Sequence, residues 1–304
     1  MFTKIKFESI FFLLPIYCLV TYYYFSFIDI FTFRDNSNFF YVFSRLNIYD
    51  ITTSYFYSRV IGWDEPVSFA VTLLFSVFLS WESFVILKGG ALLALSHLLI
   101  KKKNINFIFC FIILSLNFYF LRLNLELHKF SIAYIFLLLA LLSDRNSRIF
   151  LILASLSHFQ IFLIVGPAIV YEYITTSNSE KKKIHRLLPF LIFLSYVLFS
   201  IIFDDIYGKF LKYLNFYFFD FVVAVGFSLI IFLFFNNQNN NFLFYMLASL
   251  CIAIFFLGGS RLNIFLALIP IYFLSGRILF IYLLFFFSYN LYLLIRWFLT
   301  FILI

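Results

Sequence analysis

Apolar runs of roughly 15 to 20 residues recur along this chain from end to end, separated by short polar breaks. A backbone inside a bilayer must satisfy its hydrogen bonds internally, and a run of that length does so as a helix crossing about 30 Å of hydrocarbon. The pattern predicts an all-α, polytopic integral membrane protein with roughly 9 to 11 transmembrane helices, one or two of them broken or re-entrant. A single membrane domain over residues 1–304 is expected, with 29–66 as its longest outward-facing loop. The composition agrees, at 64% hydrophobic and 12% charged. The net charge of +8 is spread through short loops, where Lys and Arg orient a membrane protein, so the bilayer is the expected partner and nucleic acid is not. Cys18, Cys110 and Cys251 sit singly in apolar stretches without ligand spacing, so neither a disulfide framework nor a metal site is expected. Glycine-rich phosphate loops and GxSxG are absent, and no cofactor is expected. Residues 1–28 read as an uncleaved first span, because no small-residue cleavage site interrupts "IYCLVTYYYFSF".

The apolar runs place spans near 10–28, 84–100, 105–121, 130–143, 187–203, 216–235, 242–257, 262–275 and 278–295. Two stretches are irregular. Residues 67–81 are apolar but short, and they meet the next span at "WES". Residues 149–173 carry Ser155, Ser157, His158 and Gln160 and then Gly166-Pro167, the composition of a broken or re-entrant hairpin. Four basic clusters, at Lys4 and Lys6, 101–104, 144–148 and 180–186, are assigned to the cytoplasmic side. Crossing parity then requires 67–81 not to cross fully and 149–173 to return to the side it started from. This topology puts Arg34, Arg45, Arg59, Arg122, Lys129 and Arg261 outside, where the positive-inside rule expects few cations.

Those cations need a reason to be there. On a helix, Arg122, Glu126 and Lys129 would share one face, and facing lipid at mid-depth each would cost about 2.5 to 3.5 kcal/mol. The stripe must face protein, water or an anionic ligand. With His128 beside it, it offers cations suited to a phosphate and groups suited to moving a proton. Further candidates are His158 in "ASLSHFQIF", Arg261 in "LGGSRLNIFLALIP", and the 29–66 loop with Arg34, Arg45 and Glu65. Lys88 and Glu82 read as a pair across the "WES" bend, and His97 as a packed histidine.

Five segments in order, "FRDNSNFFYVF", "WDEPVSF", "LELHKFSIAYIFLLLAL", "ASLSHFQIF" and "SRLNIFLALIP", resemble the EpsG/Wzy-like polysaccharide polymerases over about residues 30–270. Where that family has Asp after its first Arg this chain has Asn38, and where it has Arg-Gln this chain has Lys129-Phe130. Either Lys129 or Arg122 then takes the arginine's role.

The resemblance implies a glycosyltransferase at the outer face of the bacterial inner membrane. It would polymerise undecaprenyl-pyrophosphate-linked oligosaccharide repeats into O-antigen, capsule or exopolysaccharide. A flippase and a chain-length regulator are further candidate partners. Glycosyl transfer needs charge stabilisation on the departing pyrophosphate and removal of a proton from the attacking hydroxyl. Arg122, Lys129 and Arg261 are the candidates for the first, Glu126 or His158 for the second, and Glu65 with the 29–66 loop for holding sugar; Arg34, Arg45 and His128 complete the expected substrate-binding set. The competing readings are a membrane acyltransferase acting on surface sugars and a transporter of lipid-linked sugars. The second would show internal repeats and charges strung through the membrane depth, and the charges here gather on one face.

Overall fold

The computed structural model describes residues 8–27, 34–60, 65–101, 103, 105–125, 127–143, 146–158, 161, 166, 218–233, 241–257, 262, 264–266, 268, 271 and 276–302. Among them the regular structure is helical, without a strand. The helices are α1 (Glu8–Phe27), α2 (Arg34–Phe43), α3 (Ile51–Val60), α4 (Pro66–Ser76), α5 (Trp81–Lys101), α6 (Phe107–Ser115), α7 (Phe118–Leu125), α8 (His128–Leu142), α9 (Ser147–Ser157), α10 (Phe218–Leu233), α11 (Asn241–Leu257) and α12 (Gly276–Ile302). Three segments, Ser9–Ser26, Trp81–Lys101 and Leu279–Arg296, are long and apolar enough to cross a membrane, and α6 with α7 adds a fourth if that bent pair is one span. The chain is an all-α, multi-pass membrane protein.

The chain divides into two compact units, Met1–Phe162 with Ile271–Ile304, and Leu163–Pro270. In the second, α10 packs on α11, with Phe221 edge-on to Phe255 and the Ser228 hydroxyl 3.3 Å from Cys251 Sγ.

The first unit is organised around α5, which packs on α1, α6, α7 and α8. Its membrane-length window is 78% buried, against 22% for α1, so α5 is the central helix and α1 is peripheral. Gly89 and Gly90 make the closest approaches possible. A methyl group at Gly89 would meet the Asn124 amide and Thr21, and one at Gly90 would meet Cys18 Sγ, with the Cys18 backbone nitrogen at 3.0 Å. Small residues serve this purpose where helices pack in lipid. Gly90→Ala is therefore expected to lower thermal stability in detergent by about 1–3 kcal/mol through overpacking. Gly226→Ala on α10, where nothing lies within 4 Å, should leave stability unchanged or raise it by up to about 1 kcal/mol. Further along α5, His97 is fully buried, with Nδ1 2.7 Å from the Tyr17 hydroxyl, in keeping with a packed histidine.

Several expectations are refined. Much of the 29–66 loop is helical, as α2 and α3. Asp50 starts α3 by accepting from Thr53 N, and Asn47 and Ser54 exchange two hydrogen bonds across the turn before it. The pair docks through Phe43 on Trp81 and Phe84, and through Tyr55 on Phe69. The 105–121 span is α6 and α7, bent by 53°, with Asn117 Oδ1 accepting from Phe120 N to start α7. Arg122 and Lys129 do not share one helical face, because they lie on separate helices, α7 and α8, with Leu127 between them at φ −115° and ψ 62°; Glu126 lies outside the described residues. At 11 residues, or about 16 Å, α4 is too short to cross a bilayer unaided. The predicted 187–203 span lies outside the described residues, as does most of 262–275 and of the segment after His158.

Candidate functional site

Glu65 stands one residue before α4, and its position follows from Pro66. Proline suits the first position of a helix and pushes the residue before it into extended backbone. Glu65 has φ −66° and ψ 128°; its carbonyl accepts from Phe69 N at 2.9 Å, while its carboxylate makes no capping bond. The side chain is thereby available to groups from other helices.

Two such groups meet it. Lys129 Nζ, in the first turn of α8, donates to both carboxylate oxygens, at 2.9 Å to Oε1 and 2.7 Å to Oε2. A cation at a helix N-terminus stands at the unfavourable end of the helix dipole, and the Glu65 carboxylate offsets that. His158 follows the last residue of α9, where the chain turns extended at φ −159° and ψ 119°, and its Nδ1 lies 2.9 Å from Glu65 Oε1. The end of α9 is fixed against α4 by a 2.5 Å hydrogen bond from the Ser68 hydroxyl to the Ser157 carbonyl. Phe130 meets the His158 ring edge-to-face, with centroids 3.9 Å apart.

The three side chains are 11 to 19% exposed, so they are largely withdrawn from solvent, and His158 Nε2 itself is buried. Burial alone would raise the Glu65 carboxyl. The hydrogen bond from His158 and the positive charges of Lys129 and His158 outweigh it and hold the group down at about 2. An ionised Glu65 accepts the Nδ1–H of His158, which in neutral imidazole makes Nε2 the basic nitrogen. Carboxylate, imidazole and ammonium are thus arranged as an orienting group, a proton acceptor and a charge that keeps the orienting group ionised.

The remaining expected residues lie elsewhere. His128, next to Lys129, is 1% exposed and packs edge-on against Trp81 and Phe39, with Nδ1 2.6 Å from Lys88 Nζ. Arg45 is exposed and lies over the Tyr41 ring at 3.9 Å, with Tyr57 at 5.7 Å. Arg122 is half-buried on α7. Arg34 begins α2, but its side chain lies outside the described residues, as do Glu126 and Arg261 altogether. Lys88, expected opposite Glu82, instead points its ammonium at His128 and at the Asn124 carbonyl, 3.0 Å away. The sequence did carry a signal for it, a lysine seven residues into the span that begins at Trp81. Among the described residues no group of three His, Cys, Asp or Glu side chains is placed to hold a metal ion.

The class is thus a multi-pass helical membrane protein with a carboxylate, lysine and histidine gathered where helices begin and end. Comparison with known proteins returns no matching family, no matching curated protein and no matching solved structure.

Proposed function

We propose that this protein is a glycosyltransferase of the polysaccharide-polymerase type, joining polyprenyl-pyrophosphate-linked repeat units at the outer face of a bacterial inner membrane. The observation that carries the reading is the meeting of Glu65, Lys129 and His158. They come from "WDEPVSF", "LELHKFSIAYIFLLLAL" and "ASLSHFQIF", three of the five segments on which the family resemblance rests. Segments 64 and 93 residues apart in sequence converge on one carboxylate, as parts of one site would.

In this reading His158 is the general base. A hydroxyl of the incoming repeat unit attacks the anomeric carbon of the lipid-linked glycan, and its proton passes to His158 Nε2. The bond between that carbon and the pyrophosphate oxygen breaks, and the electron pair leaves with the lipid pyrophosphate. Glu65 keeps the imidazole in the required tautomer and stabilises the imidazolium that forms, the part a buried carboxylate plays in other His-based sites. Lys129 keeps Glu65 ionised, a different role from direct contact with the pyrophosphate. Among the described residues of the expected set, Arg122 is a group suited to bidentate contact with the leaving pyrophosphate.

The test is the size distribution of surface polysaccharide from a strain lacking the gene, complemented with wild type or with Glu65→Gln. The strain without the gene should show acceptors carrying a single repeat unit and no ladder. Wild type should restore the ladder and Glu65→Gln should not, at equal protein level. Full-length polymer without the gene, altered only in a substituent, would refute the polymerase reading and favour the acyltransferase.

A further inference from the structure

The break between α7 and α8, seen at Leu127, has no glycine or proline to cause it. In residues 124–128, "NLELH", leucine and glutamate favour helix. A tertiary contact can cause the break, and Lys88 is placed to supply it. The side chain leaves the central helix α5 only 4% exposed and reaches across to both sides of the break. On the α7 side its ammonium donates to the Asn124 carbonyl at 3.0 Å, one of the last-turn carbonyls that a helix end leaves without an intrahelical donor. On the α8 side it lies 2.6 Å from Nδ1 of His128, the first residue of that helix. The His128 ring is held from other directions by Trp81 and Phe39, at centroid distances of 4.7 and 5.0 Å. Gly89, the residue after Lys88, makes room for the Asn124 side chain, so α7 can come close enough for the contact.

Fixing His128 fixes the first turn of α8, and the next residue in that turn is Lys129. We propose that Lys88 is a positioning residue: by tying the end of α7 to the start of α8 it sets the register at which Lys129 meets Glu65. It touches neither Glu65 nor His158 directly, and acts through the backbone of the break. The geometric claim stands without the functional reading above; only its consequence for polymer synthesis rests on that reading.

The test is a double-mutant cycle on thermal unfolding of the full-length protein in detergent, with Lys88→Met, Glu65→Gln and the pair. If Lys88 sets the register, Lys88→Met already loosens the Lys129–Glu65 contact, and Glu65→Gln then loses the larger part of its effect on the midpoint. The control pair is Tyr17→Phe with Glu65→Gln. Tyr17 pairs with His97, about 13 Å further along α5, and those effects should add. A purely structural role for Lys88 would lower the midpoint and leave its effect additive with Glu65→Gln, and that overturns the proposal. Should Lys88→Met not accumulate, His128→Phe keeps the aromatic packing, removes the Nδ1 acceptor and must show the same non-additivity. In cells Lys88→Met should shorten or abolish the ladder, and Lys88→Arg, which retains donors to both partners, should restore part of it. A coupled cycle with no polymer defect would leave the positioning role intact and count against the polymerase reading; an additive cycle would do the reverse.

Discussion

On the proposed polymerase reading, replacing His158 by alanine is expected to abolish chain extension while leaving the protein folded in the membrane. The imidazole is the group in the cluster suited to accept a proton near neutral pH, and a positioned general base contributes about 10²- to 10⁴-fold to a rate. A drop of that size removes the polymer ladder and leaves single repeat units. The fold should tolerate the change, because the end of α9 is held independently by the bond from Ser68 to the Ser157 carbonyl. His158→Ala, assayed beside Lys129→Met, separates two roles. On the proposed reading, loss of His158 removes the base outright. Loss of Lys129 leaves the base in place but lets the Glu65 carboxyl rise, so activity should fall less and shift its pH dependence. Turnover by His158→Ala at wild-type rate would remove this residue from the chemistry.

The second large effect is on acid stability. Glu65 ionises at about 2 in the folded protein against an ordinary 4.5, so the folded state favours its charged form. A carboxyl depressed in this way contributes stability that is fully present above its unfolded value and is lost as the pH falls through the folded one. The window therefore runs from about 4.5 down to about 2, and the loss across it amounts to about 3 kcal/mol. Thermal unfolding in detergent should show a midpoint that declines across this range, with a shallower decline in Glu65→Gln. An unchanged acid slope in that variant would mean that the carboxylate is not held by its two partners. Lys129→Met should lower stability at pH 7 and also flatten the slope, because the first partner lost is the ammonium at 2.7 Å.

Much of the cluster was legible before its geometry was known. Glu65-Pro66, Lys129 and His158 each stand out as polar groups in or at the start of apolar runs, where an ionisable side chain is costly without a function or a partner. What the sequence did not carry is their meeting. That depends on where α4 begins and α9 ends, and the exact ends of short helices are set by tertiary contacts such as Ser68 with Ser157. The helices α1 and α5 were plain from their apolar length, and the irregularity of 67–81 and of the segment around His158 from their length and polar content. The α7–α8 break was not legible, because "NLELH" contains no glycine or proline to mark it and the lysine that bridges it lies 36 residues earlier. The packing of His128 was not legible either. Its neighbour Lys129 turns to the carboxylate while His128 turns to Lys88, a difference of one step around the helix.

The 53° bend between α6 and α7 also bears on the thickness of the bilayer around this protein. The two pieces have 9 and 8 residues, about 13 and 12 Å of helix. With α6 along the bilayer normal, the bend lets α7 climb only about 7 Å, so the pair rises about 20 Å through a hydrocarbon layer of about 30 Å. A pair that rises only that far leaves about 10 Å of hydrocarbon uncrossed, a mismatch of the kind that a bilayer meets by thinning beside the helix ends.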